Sequence, residues 1–183
     1  MTIWIVLAVV AVVALWLMVT YNGLVKLRNM AQEAWSGIDV QLKRRSDLVP
    51  NIVETVKGYA KHERETLDSV TQARTAVTNA GSDPAQRMQA ENMLTGALRS
   101  LFAVAEAYPE LKANTNFLQL QQELSKIEDE IQMSRRYYNG SARNLNNAVQ
   151  QFPANLVSGA FGFSAMPYFE AAEAERVVPK VSF

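Results

Sequence analysis

The chain contains no cysteine, which excludes a disulfide framework, a thiolate nucleophile and a thiolate zinc site. A single histidine, His62, excludes a histidine-pair metal site and the paired Glu-x-x-His di-iron arrangement within one chain. Neither sign of charge is in excess. Lys and Arg number 18 against 18 Asp and Glu, so there is no bulk basic field for nucleic acid. No charged side chain occurs before Lys26, and strand-type alternation is missing throughout 24–152. No cofactor or metal is expected. The 183 residues suggest one domain plus an appendage.

What is present is helical periodicity. Leu120, Leu124, Ile127, Ile131, Ser134, Tyr138, Ala142, Leu145, Val149 and Phe152 recur in steps of three and four, with polar residues around the rest of the cylinder. Such a helix runs roughly 50 Å at ~1.5 Å per residue, too long to hide inside a small globule. It needs other long helices beside it.

The uncharged start is an anchor. Ile3 to Thr20 is almost wholly Ile, Val, Leu, Ala, Trp and Met, with Trp4 at one end and Trp16 and Tyr21 at the other. Its helical length, about 27 Å, matches the hydrocarbon core of a bilayer. Its Val, Ile and Leu residues contribute roughly −3 to −7 kcal/mol to insertion, with no charge to offset them. A cleaved signal peptide would want a basic start and a small-x-small site, and Leu17-Met18-Val19-Thr20-Tyr21 offers neither. A retained single span is expected. Lys26, Arg28, Lys43, Arg44 and Arg45 follow it against Glu33 and Asp39, so the positive-inside rule places the bulk of the chain in the cytoplasm, at the cytoplasmic (inner) membrane.

Past the span, Asn22-Gly23 reads as a hinge. Leu24, Leu27, Ala31, Ala34, Trp35, Ile38 and Leu42 form the next stripe, continued by Val49, Ile52, Val53, Val56, Tyr59 and Ala60 to Leu67, Val70 and Val77. Pro50 lies inside this run and is expected to kink the helix or start a new one, capped by Ser46 or Asp47. Asn79-Ala80-Gly81-Ser82-Asp83-Pro84 is a break, with Asp83 as cap and Pro84 at the first helical position. Met88, Leu94, Leu98, Leu101, Phe102 and Ala105 mark the next helix, ending near Tyr108-Pro109. The long last helix follows and Pro153 ends it. The expected fold is all-α: an anchor over 1–23, an antiparallel helical bundle over 24–152, and an irregular aromatic tail over 153–183.

Several of these stretches together resemble the LemA family. They are Tyr21-Asn22-Gly23-Leu24-Val25 after the anchor, Ala34-Trp35-Ser36-Gly37-Ile38-Asp39-Val40-Gln41-Leu42-Lys43-Arg44-Arg45-Ser46-Asp47-Leu48-Val49-Pro50-Asn51, Val53-Glu54-Thr55-Val56-Lys57-Gly58-Tyr59 and His62-Glu63. Ala142-Arg143-Asn144-Leu145-Asn146, Phe152-Pro153, Phe161-Gly162-Phe163, Tyr168-Phe169 and the end Pro179-Lys180-Val181-Ser182-Phe183 continue the likeness over essentially the whole chain. The resemblance implies a single anchor and a long antiparallel helical bundle. It implies no reaction.

Candidate chemistry is sparse. His62-Glu63-Arg64-Glu65 is the one place where a base, acids and a cation crowd together, but no nucleophile, second histidine or phosphate-cradling glycine loop accompanies it. The expectation is exposed charge on a helical turn. Glu123, Glu128, Asp129 and Glu130 lie off the apolar stripe and, with Glu54 and Glu63, suit a solvated face with inter-helix ion pairs better than a metal site. Lys43 is expected to bridge to Asp47 or an acidic neighbour helix. Arg45 interrupts the apolar stripe just before Pro50, which suggests a buried-edge ion pair that sets register.

The tail is apolar and aromatic where a disordered tail should be poor in such residues. Phe161, Phe163, Tyr168 and Phe169 either pack on the bundle, lie at a membrane surface, or dock onto another subunit. Val181 and Phe183 with the terminal carboxylate either cover their own bundle or enter a groove of the PDZ kind. The chain therefore reads as a non-enzymatic, membrane-anchored helical scaffold. Its expected partners are the lipid bilayer, further copies of itself as a homo-oligomer, and membrane proteins, with no nucleic acid. The alternative is an accessory subunit of an integral-membrane enzyme or transporter, bound through the tail.

Overall fold

A computed structural model describes residues 1–81 and 83–169. These form six helices: α1 (Thr2–Tyr59), α2 (Arg64–Asn79), α3 (Pro84–Ala105), α4 (Pro109–Lys112), α5 (Thr115–Gln150) and α6 (Ala154–Phe161). No strand occurs among the described residues, and the fold is all-α. The chain divides into two compact units. One is Met1–Gly37 with Ser134–Tyr168; the other is Ile38–Met133, joined among the described residues by Phe169. Helices α1 and α5 contribute to both.

The second unit is a four-helix arrangement running up, down, up and down. Arg74 of α2 reaches Ser46 of α1, and Arg87 of α3 reaches Val77 of α2, as antiparallel neighbours require. Asp39 and Arg45 of α1 meet Arg87 and Glu91 of α3 in the same order, so these two helices run parallel. Arg44 and Arg45 meet Glu130 and Glu128 while Tyr59 meets Asn114, which sets α5 antiparallel to α1. The apolar stripes close inward: Ile52 and Val56, Val70 and Val77, Leu94 and Leu101, and Ile127 and Ile131 are all buried. Asp83 caps α3 by accepting from the Ala85 amide, with Pro84 in the first turn.

The first unit pairs the start of α1 with the end of α5. The Trp35 and Tyr138 rings meet at 5.4 Å, tilted by 60°, and Ala31, Ala34 and Ala142 on the same two helices are buried. Nearer the amino terminus Leu24, Val157 and Phe163 form a buried cluster with Val25, Ala148 and Val149 against it. Thr2–Tyr59 contains a segment long and apolar enough to cross a membrane, none of it buried against protein.

Four expectations need correction. First, α1 is continuous through Asn22-Gly23 and through Pro50, so neither a hinge nor a new cap at Ser46 or Asp47 interrupts it. The carbonyl that Pro50 leaves without an intrahelical donor, that of Ser46, accepts from Arg74 Nε instead. Second, the stripe read as running from Ala60 to Val77 is broken by a turn at 60–63, where Glu63 makes no side-chain cap. The break lets α2 fold back along α1. Third, the tail is not wholly irregular: α6 forms and ends at Gly162, whose φ of 71° is the left-handed conformation that glycine adopts without strain. Fourth, Phe152 is 79% exposed rather than buried, because α5 stops at Gln150 and the helical repeat no longer places its side chain.

Candidate functional site

Arg45 comes from the inward face of α1 and is 0% exposed, as is Glu91. Its Nη2 donates to Glu91 Oε2 at 2.5 Å and to the Glu91 carbonyl at 3.2 Å. Its Nη1 donates to Glu128 Oε1 at 2.7 Å and to Thr95 Oγ1 at 2.8 Å, and Nε is buried without a hydrogen-bond partner. Glu91 Oε1 accepts from Arg87 Nε at 3.1 Å, and Arg87 also reaches Asp39 Oδ1 at 3.3 Å. The result is an alternating chain, Asp39–Arg87–Glu91–Arg45–Glu128, that ties α1, α3 and α5 together.

Burial alone would lower the affinity of the Arg45 guanidinium for its proton. The charges of Glu128 and Glu91 and their hydrogen bonds overcome that and raise its pKa above the ordinary arginine value. The cation is fixed. Because its two carboxylates come from different helices, the network specifies which turn of α3 and α5 faces Arg45.

Sequence reasoning singled out Arg45 and Glu128 but not Glu91. The signal was there: Glu91 lies three residues after Met88 and three before Leu94, inside an apolar stripe. Further ion pairs lie at exposed positions, two of them within α1 and one between α1 and α5. Lys43 pairs with Asp47 at 3.3 Å, Arg44 with Glu130 at 2.7 Å and Lys57 with Glu54 at 3.4 Å. Isolated surface pairs of this kind contribute about 0–1 kcal/mol each. His62 is exposed in the turn before α2. Its neighbour Glu63 accepts from the Tyr108 hydroxyl at 3.0 Å, which raises the Tyr108 pKa. A groove of about 830 Å³ between α1 and α2 is lined by charges of both signs, including Lys57, Arg64, Glu54 and Asp68. Among the described residues no three His, Asp or Glu converge as metal ligands would.

The aromatic residues of the tail divide. Phe163 is buried, and its ring meets Tyr21 at 5.6 Å and carries the Arg28 guanidinium 5.0 Å above its centroid. Phe161 meets Tyr21 edge-on at 5.0 Å yet stays largely exposed. Tyr168 is exposed and Phe169 buried. Asn146 accepts from the Met166 amide and donates to its carbonyl, and the Tyr138 hydroxyl donates to the Pro167 carbonyl at 2.7 Å. Burial pushes the Tyr138 pKa up to about 12. Trp4 and Trp16 are exposed on α1. Val181 and Phe183 lie outside the described residues.

A LemA family model matches residues 34–183, from the Trp35 helix through the aromatic tail. The chain belongs to the LemA family. It is 32% identical over 156 residues to Protein LemA of Metamycoplasma hominis, an alignment spanning 85% of this chain and 71% of that one. It is 27% identical over 190 residues to Magnetosome protein MamQ 2 of Paramagnetospirillum magneticum, spanning 90% and 70%. It is 25% identical over 193 residues to Magnetosome protein MamQ of Magnetospirillum gryphiswaldense, spanning 90% and 71%. These LemA and MamQ names are not enzyme names.

Proposed function

We propose that this LemA-family chain is a membrane-anchored, non-enzymatic helical scaffold that self-associates and organises a membrane patch or its proteins. The observation that carries this reading is the continuity of α1. The helix that is apolar enough to cross a bilayer also supplies Arg45, Ile52 and Val56 to the bundle. A span that continues into a packed bundle confines its copies to two dimensions, which raises their effective concentration. The buried charges, Arg45 and Glu91 foremost, hold helix to helix, which suits a structural element better than a reaction centre. The basic residues after the span favour the inner membrane of a bacterium, with the bulk in the cytoplasm.

The test is the mass of the full chain in mild detergent across a concentration series. Oligomers that grow with concentration support self-assembly, and a strict monomer at high concentration removes it. A second reading, an accessory subunit of an integral-membrane enzyme or transporter, draws support from the exposed Tyr168 near the start of the remaining tail. Co-purification from native membranes with and without residues 154–183 separates the two. Loss of a foreign partner with retained self-association favours the accessory subunit.

A further inference from the structure

The end of the first unit where the apolar run of α1 gives way to Lys26 carries a second apolar surface. Helix α6 is held there. Phe161 and Phe163 meet Tyr21, Val157 is buried with Leu24, and the Ser158 hydroxyl donates to the Val149 carbonyl at 2.9 Å. These contacts fix α6 beside the residues at which a spanning α1 would leave the bilayer. Val157 and Ser158 turn inward, leaving Leu156 and Phe161 62% and 59% exposed, with Phe152 more exposed still just before them.

Single exposed apolar residues are ordinary on a protein surface. Here three fall in one short stretch, and no charged side chain occurs anywhere between Arg143 and Glu170. The nearby cations are Lys26, which is exposed, and Arg28, seated on the Phe163 ring. Aromatic rings grouped with cations at the end of an apolar span are the composition of a membrane–water boundary.

We propose that α6 is a second membrane contact. It lies at the headgroup–acyl boundary of the bilayer that α1 crosses, with the outward Leu156 in lipid, Phe152 just ahead of the helix beside it, Phe161 at its edge against Tyr21, and Lys26 and Arg28 beside the phosphates. The proposal rests on the reading of α1 as a span. The bilayer is favoured over a second copy because Phe161, itself exposed, packs on Tyr21 at the end of the apolar run, so another protomer would have to displace lipid already beside the anchor. A single span leaves its tilt and its rotation about its own axis to other contacts. A short helix docked at its exit sets both.

Because the chain has no cysteine, one substitution places one label. The full chain is labelled with an environment-sensitive fluorophore at Leu156→Cys, at Val12→Cys within the span, or at Glu33→Cys on exposed α1. Each is reconstituted in phosphatidylcholine–phosphatidylglycerol vesicles whose lipids are brominated either near the headgroup or near the chain end. The label at 156 is expected to be quenched severalfold more than the label at 33, and more by shallow bromines than by deep ones. The label at 12 should show the opposite depth preference. Quenching at 156 no greater than at 33, with 12 quenched, overturns the contact and leaves the span standing. A label at 156 shielded from both lipid bromine and aqueous iodide also overturns it, in favour of a protein cover such as a second copy. An unquenched label at 12 overturns the span and the contact together.

Discussion

Arg74 Nε donates to the carbonyl oxygen of Ser46 at 3.0 Å, and Ser46 is the residue whose carbonyl Pro50 leaves without an amide donor. A proline inside a helix forfeits one i→i−4 hydrogen bond and leaves an acceptor to be satisfied. Here the neighbouring helix satisfies it, which joins α2 to α1 at the point where α1 is weakest. The two residues should therefore be energetically coupled. Arg74→Met is expected to cost about 1 kcal/mol with proline at 50. In a Pro50→Ala background the loss should shrink towards zero, because the alanine regains the backbone amide that can serve Ser46. A double-mutant cycle by chemical denaturation measures the coupling. Additive losses would show that the arginine matters for some other reason.

The ion pair one residue earlier obeys a different rule. Arg45 and Glu91 are both fully enclosed, so removing the arginine leaves the buried Glu91 with Arg87 as its one charged partner, at a cost of about 3–5 kcal/mol, whereas removing both should cost less. Arg45→Met should therefore destabilise the chain by that amount, and adding Glu91→Leu should restore most of the loss. Arg45→Lys should recover little, since one ammonium cannot reproduce the fork that reaches Glu91, Glu128 and Thr95 together. Thermal and chemical denaturation of the three variants in detergent decides it. Equal stability of Arg45→Met and the native chain would deny the network any part in holding the helices in register.

How much of this was legible beforehand differs from element to element. The Asp83–Pro84 start of α3 and the inward stripe of α5 follow from local rules, because capping and periodicity are decided by residues a few positions apart. The turn at 60–63 was hidden. Ala60 and Leu67 are seven apart, so the apolar repeat continues in phase across the break, and Gly58 just before it is the one local breaker. The arginine in the α1 stripe was conspicuous, but its main partner, Glu91, needed the parallel placement of α3 to be seen. Helix α6 spans eight residues, too few to show a period. It is ordered by Tyr21 and Leu24, which are distant in sequence, together with the nearby Val149 carbonyl.

Tyr138 makes a prediction about alkaline pH. Its phenol is buried and its folded pKa is pushed up to about 12 from 10.0, so the folded state favours the neutral form. That contribution is complete below the unfolded pKa and is lost as pH rises from about 10 to about 12. Tyr138→Phe removes the hydroxyl and its bond to the Pro167 carbonyl, and should cost about 1 kcal/mol at neutral pH. The gap between the two proteins should then narrow through the alkaline window. Denaturation series at stepped pH test the sign. A native chain with the same alkaline slope as the phenylalanine variant would place the titration elsewhere.

Phe163 decides whether the tail is a separate cooperative piece. It packs on Tyr21, Leu24 and Val157 and receives Arg28 on its face, so α6 has few anchors besides this ring and the Ser158 hydroxyl. Phe163→Ala should remove about 3 kcal/mol of packing from that corner. The loss falls on a segment whose other ties are few, so local release should precede global melting. Chymotrypsin should then cut after Phe161 much faster in Phe163→Ala than in the native chain. The main helical melting transition, followed by circular dichroism, should shift by only a few degrees. A large fall in that transition with no gain in local cleavage would mean that α6 and the long helices unfold as one body. The ring would then be part of the common core rather than the latch of a short docked helix.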